Sequence, residues 1–246
     1  MLWNASALIG YHVHGTDGAF GTVHDLLVDD HIWMLRWLVV DTGNWLPGRK
    51  VLIPARALGR PDPASRQVLI ARTKEQIENS PDIDTDLPVS ADSEQRLYEF
   101  YALDLDTDRN HNGQEKPISD QTVPNQPDGG YLPQPLDPNL FSLKSLIGYK
   151  LAAIDGGIGH VSDFLIDDRT WKIQCLSLNT GDWWPSAVVL IPTGVIQSID
   201  WEAELVHAKI DQAAVRASPN YQPEETADGS YVETVLTYYG ITWVKP

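Results

Sequence analysis

Apolar residues recur along this chain in short blocks of strand length. Phe20 to Val28 and Trp33 to Val40 are two such blocks, joined by Asp29-Asp30 and the two residues after them, a turn by composition. In the first block Val23 and Leu27 share one face of a strand, whereas Leu26 and Val28 share the other. A strand end that is apolar on both faces predicts a closed or strongly curved sheet. Asp17-Gly18, flanked by short apolar stretches, predicts a tight hairpin whose turn needs a positive φ. Thr42 to Gly48 reads as a loop. Lys50 to Pro54 is a short strand stopped by a residue that cannot donate to a ladder, and Gln67 to Arg72 is a further strand. Thr73-Lys-Glu-Gln76 has the spacing of a capping box, so a short helix is predicted to begin there. Ala91 to Ala102 carries Leu97, Phe100 and Tyr101 at helical spacing, with Ser90 in the capping position.

The pattern then repeats. Leu8–Pro54 aligns without a gap on Leu146–Pro192 at a constant offset of 138, with 22 identities in 47 positions, too many in one register to be chance. Asp155-Gly156 falls on the hairpin turn, and Val235, Tyr238 and Tyr239 fall on the second apolar helix face. Between the copies, residues 103–141 hold six prolines, seven acids and two basic residues, a composition that cannot bury enough apolar surface to order itself. The expected organisation is a barrel with a helical appendage over 1–102, a linker over 103–141, and a second barrel with its helix over 142–246.

Composition narrows the function classes. The net charge of −16 repels phosphate backbones and anionic lipid, so nucleic-acid binding is disfavoured. No apolar run reaches about 18 residues, so no transmembrane segment is predicted, and the first residues lack the pattern of a secretory signal. A soluble, cytoplasmic protein is expected. The single cysteine, Cys175, excludes an intrachain disulfide and any multi-thiolate metal site. Its counterpart in the first copy is Trp37, which assigns the position to packing.

The doubled segment resembles the PRC-barrel family, seen in the cytoplasmic domain of the photosynthetic reaction-centre H subunit and in a ribosome-maturation factor. The resemblance rests on Ile9-Gly10, Asp17-Gly18-x-x-Gly21-x-Val23-x-Asp25-Leu26-Leu27-Val28-Asp29 and Trp37-Leu38-Val39-Val40-Asp41. It recurs as Ile147-Gly148 and Asp155-Gly156-x-x-Gly159-x-Val161-x-Asp163-Phe164-Leu165-Ile166-Asp167, and covers most of 8–72 and 146–210. It implies a mainly β chain of two tandem six-stranded barrels used for protein–protein contact, with no catalytic residues to carry over. The second copy departs at Ser177-Leu178-Asn179 and at Ser186-Ala187-Val188, where the first has Gly48-Arg49-Lys50.

Four constellations carry conceivable chemistry. Asp25, Asp29 and Asp30, repeated as Asp163, Asp167 and Asp168, have the chemistry of paired carboxylates or of metal ligands; the structural reading is turn formation and backbone hydrogen bonding. His12 and His14 share a strand face, but their counterparts are Lys150 and Ala152. Asp108-x-Asn110-x-Asn112-Gly113 matches the first half of a calcium loop, yet its twelfth position is Ser119, which cannot bind bidentately. No metal and no cofactor is expected. The loop aromatics Trp45-Leu46-Pro47 and Trp183-Trp184-Pro185 are candidate interface residues, between the modules first and toward a partner second.

The expected function is therefore a non-enzymatic interaction or scaffold protein with an unidentified protein partner, its two modules packed as a pseudo-dimer. Two alternatives stand beside it. One is a metal-dependent hydrolase using Asp25/Asp29 or Asp163/Asp167; the other, by family analogy alone, is a regulator of a membrane electron-transfer complex. The sequence leaves homo-oligomerisation open.

Overall fold

The computed structural model describes residues 1–81, 95–101, 140–181, 187–222, 226–227 and 229–242. The chain is mainly β, in two mixed sheets. The first sheet contains β2 (His12–Gly15), β3 (Gly18–Asp29), β4 (Met34–Asp41), β5 (Lys50–Pro54) and β6 (Gln67–Leu69), in the order β5-β4-β3-β2-β6. The second repeats it as β8 (Lys150–Ala153), β9 (Gly156–Asp167), β10 (Ile173–Asn179), β11 (Val188–Pro192), β12 (Ile196–Asp200) and β13 (Leu205–Ala208), in the order β12-β13-β8-β9-β10-β11. Pairings are antiparallel except β2–β6 and β8–β13, which are parallel in both copies.

Small devices repeat with the strands. Gly21 and Gly159 must lack side chains, because a Cβ at either would lie 2.2 Å from a carbonyl oxygen of the neighbouring strand, that of Asp41 or of Asn179. A bulge sits between Val23 and Asp25, and its counterpart in the second copy follows Val161. Thr73 caps α2 (Lys74–Glu78) with the complete box, and Gln76 reaches back to the Thr73 amide at 2.9 Å. Asp211 caps α5 (Gln212–Ala217) at the matching place. A helix over 95–101 buries Leu97 and Tyr101, and α6 (Gly229–Tyr238) buries Val232, Val235 and Leu236. Ser90 lies outside the described residues, as do 102–139, and with them most of the expected linker and the calcium-loop motif at 108–113.

The sheets differ from the expected barrels in that neither ladder closes among the described residues. Pro54 and Pro192 end β5 and β11, and a single 3-10 turn follows each, Ala55–Ala57 and Thr193–Val195. The chain then returns at the opposite sheet edge, where Leu58 bridges Ile70 and β12 pairs with β13. Chain continuity, not a strand pair, links the two edges, because proline offers no N–H to extend the ladder past the corner.

The two-sided burial of Leu26, Leu27 and Val28 has another source. A strand lying in the segment before each repeat crosses to the other half. β1 (Leu2–Asn4) pairs with β9 through Leu2↔Asp167, Trp3↔Ile166 and Asn4↔Leu165. β7 (Leu140–Ser142) pairs with β3 through Leu140↔Asp29, Phe141↔Val28 and Ser142↔Leu27. The two registers are the same under the offset of the repeat. β7 begins at Leu140, inside the stretch expected to be linker. On its other side β1 meets β15 (Thr226–Ala227), and β14 (Asn220–Tyr221) extends the second sheet beyond β11. One hydrophobic cluster consequently runs through both halves, and Leu2 of the first half joins the smaller cluster that α6 covers.

Candidate functional site

The doubled aspartates hold turns and the segments exchanged between the halves. The bulge re-aims Asp25 and Asp163 so that each accepts the next residue's amide, Leu26 N at 2.7 Å and Phe164 N at 2.8 Å. The second carboxylate oxygen then takes a donor from the exchanged segment of the other half. Ser142 Oγ donates to Asp25 at 2.6 Å and the Ser6 hydroxyl donates to Asp163, while the Ser6 amide, at 3.1 Å, shares the Asp163 oxygen that takes Phe164 N. Lys144 Nζ donates to the carbonyl of His24. Asp29 closes the β3–β4 turn by accepting from the His31 and Ile32 amides at 3.0 and 3.3 Å, and Arg36 pairs with it at 3.1 Å. Asp167 accepts from the Arg169 amide at 2.9 Å. The buried Asp168 takes the Met1 amino group at 2.6 Å and the Trp3 indole N–H at 3.2 Å. Such charge-assisted bonds hold exchanged strands in register.

Trp33 and Trp171 stand in the two equivalent turns with φ of 54° and 57°, and both are buried. Their carbonyls reach across the seam. Trp33 O accepts from Ile173 N at 2.7 Å, and Trp171 O accepts from Leu35 N at 2.9 Å. Met34 and Lys172, which form an antiparallel bridge between these pairs, are each other's counterparts in the repeat, so the pseudo-two-fold axis passes between them.

The remaining sequence candidates are scattered. Asp17 lies in the β2–β3 turn, and both its oxygens accept the Lys74 amide at 3.0 Å, which ties the start of α2 to the hairpin. Asp155 ties the start of α5 likewise, accepting the Gln212 amide through Oδ1 at 2.9 Å. The positive φ falls on the following glycines, 130° at Gly18 and 149° at Gly156, each opening its strand. Trp45 packs, among the described residues, against its own half. Its ring lies 6.0 Å from that of Phe20 and 5.9 Å from Lys74 Nζ. Leu46 is half-buried and Pro47 exposed; Trp183, Trp184 and Pro185 lie outside the described residues. His12 is exposed and His14 half-buried on β2, and no group of three metal-ligating side chains occurs among the described residues. Cys175 is fully buried beneath α6, and burial pushes its thiol pKa far up.

Beside the seam lies a groove of about 1090 Å³. Ile196–Ile199 of β12, the turn Asp30–Met34 from the first half, and Ile241 and Thr242 line it. Trp201, at the end of β12, stands over it with its ring 5.3 Å from Phe141 and 6.0 Å from Tyr149. The sequence reading missed both Trp201 and the strand exchange. For the exchange a signal was present: Leu2-Trp3 and Leu140-Phe141 obey the same offset, six residues before the first aligned position. For Trp201 the signal was a difference, since its counterpart is Pro63. Among the described residues no helix is long and apolar enough to cross a membrane. Compared with known proteins, the chain matches no family model and no curated protein.

Proposed function

We propose that this chain is a non-catalytic interaction scaffold: two PRC-like barrels fused into one pseudo-dimer that offers a composite surface to a protein partner in the cytoplasm. The observation that carries the reading is the use made of the doubled carboxylates. In both copies the aspartate after the bulge accepts a hydroxyl donor from the other half, at Ser142 and at Ser6. Asp29 and Asp167 hold turn amides. A carboxylate already engaged by a hydroxyl and backbone amides is poorly placed to act as a general base or to receive a metal. What duplication has kept is a carboxylate that takes a hydroxyl of the other half, from Ser142 in one copy and from Ser6, a residue not equivalent to it, in the other.

The test is metal analysis of the purified protein together with Asp25→Asn and Asp163→Asn variants. The expected results are no stoichiometric metal, and variants that weaken association of the halves without abolishing any turnover. Bound metal at one or two equivalents, with a hydrolytic activity lost in variants that keep their fold, would replace this reading with the hydrolase one.

A further inference from the structure

The groove beside the seam has the features of a peptide slot. β12 is the terminal strand of its sheet, and among the described residues its one strand partner is β13. An edge strand presents a row of backbone groups to whatever lies alongside, and five residues of it extend over about 17 Å. Trp201 is 40% exposed although Phe141 and Tyr149 fix its ring, and Ile32, which also lines the groove, is 40% exposed. Two large apolar side chains left partly in water within one groove, one of them a ring held by its neighbours, are suited to an incoming anchor.

Charge selects what the slot accepts. Asp200, Glu202 and Glu204, all exposed, flank Trp201 along the chain, and among the described lining residues Lys172 is the one cation beside Asp30 and the buried Asp167. The whole chain carries −16 and adds a long-range attraction for cations. The repeat supplies an internal comparison: the counterparts of His31, Gln174, Gly194 and Ser198 are Arg169, Arg36, Arg56 and Arg60, and that of Trp201 is Pro63. Acidic character and the exposed tryptophan thus belong to one of the two related faces.

We propose that this groove binds an extended, cationic segment of a partner protein, which adds as a strand beside β12, seats an apolar side chain against Trp201 and Ile32, and directs lysine or arginine to the acidic rim. The inference rests on the interaction reading above and names the partner's chemistry.

The test is fluorescence anisotropy on the full chain with a labelled, acetylated and amidated nonapeptide of alternating lysine and valine. Saturable one-to-one binding is expected, weakening with salt. It should fall at least tenfold in Trp201→Ala, at least tenfold when serine replaces the valines, and also when alternate peptide nitrogens are methylated. Equal affinity for Trp201→Ala, with its melting temperature unchanged, would leave only diffuse charge attraction and overturn the proposal. So would binding that appears only after residues 243–246 are deleted, which would make the chain's own tail the occupant. Self-association that Trp201→Ala abolishes, with no peptide bound, would make a second copy the occupant and likewise overturn it. Any of these failures leaves the scaffold reading to be judged by the metal and variant experiment.

Discussion

Trp3 belongs to the first half by chain position and to the second by its bonds. It is fully buried, packs edge-on to Tyr11 at 5.9 Å and donates to Asp168 of the other half. Trp3→Ala removes a core ring and leaves part of a buried carboxylate unpartnered, so a loss of about 3–5 kcal/mol is expected in urea unfolding. His24, at the bulge, reports on the seam electrostatically. Its pKa lies below the ordinary 6.5, first through burial and then through Lys144 and Lys50, with Asp25 and Asp41 opposing. Since the unfolded chain binds the proton more readily, the stability held by neutral His24 is present above 6.5 and lost as pH falls through the lowered folded value. His24→Gln is therefore expected to flatten the fall in stability below neutral pH. Lys144→Met is expected to raise the His24 pKa in an NMR titration, although Lys144 belongs to the other half.

At the scale of elements, short pieces are held by neighbours more than by their own propensity. α2 has five residues, too few to be stable alone, and depends on its Thr73–Gln76 box and on Asp17 from the hairpin. Thr73→Ala is expected to cost about 1 kcal/mol, read from the urea midpoint at constant slope. β1 has three residues and lies between β9 and β15, both of the second half. Deleting residues 1–4 is expected to speed deuterium exchange across Leu165–Asp167, far along the chain from the cut, and to leave β2–β6 protected. Exchange that rose instead around β2 and β6 would assign β1 to its own half.

For the whole molecule, the reciprocal exchange makes two repeats one cooperative body. A core continuous across the seam, two exchanged strands and the paired tryptophan carbonyls favour a single calorimetric transition rather than one for each half. A protease site placed within residues 103–139 and cut in the native protein is expected to leave both halves eluting together, because β1 with β9 and β7 with β3 join them outside that segment. Separation of the halves on cutting would mean that the exchange is too weak to hold without covalent linkage.

Period-two and period-3.6 patterning, turn chemistry and capping are local, so the strands β3, β4 and β5, the hairpin turns at Asp17 and Asp155, and the Thr73 cap were legible from the residues themselves. Duplication was legible too, because a constant offset needs no coordinates. Which half a segment pairs with was not legible. Leu26-Leu27-Val28 reads the same whether a closed barrel or an exchanged strand covers it. An apolar residue in a sequence specifies that something must cover it. The identity of the cover depends on which distant segment can reach that surface with its own backbone groups paired, and only the tertiary structure settles that.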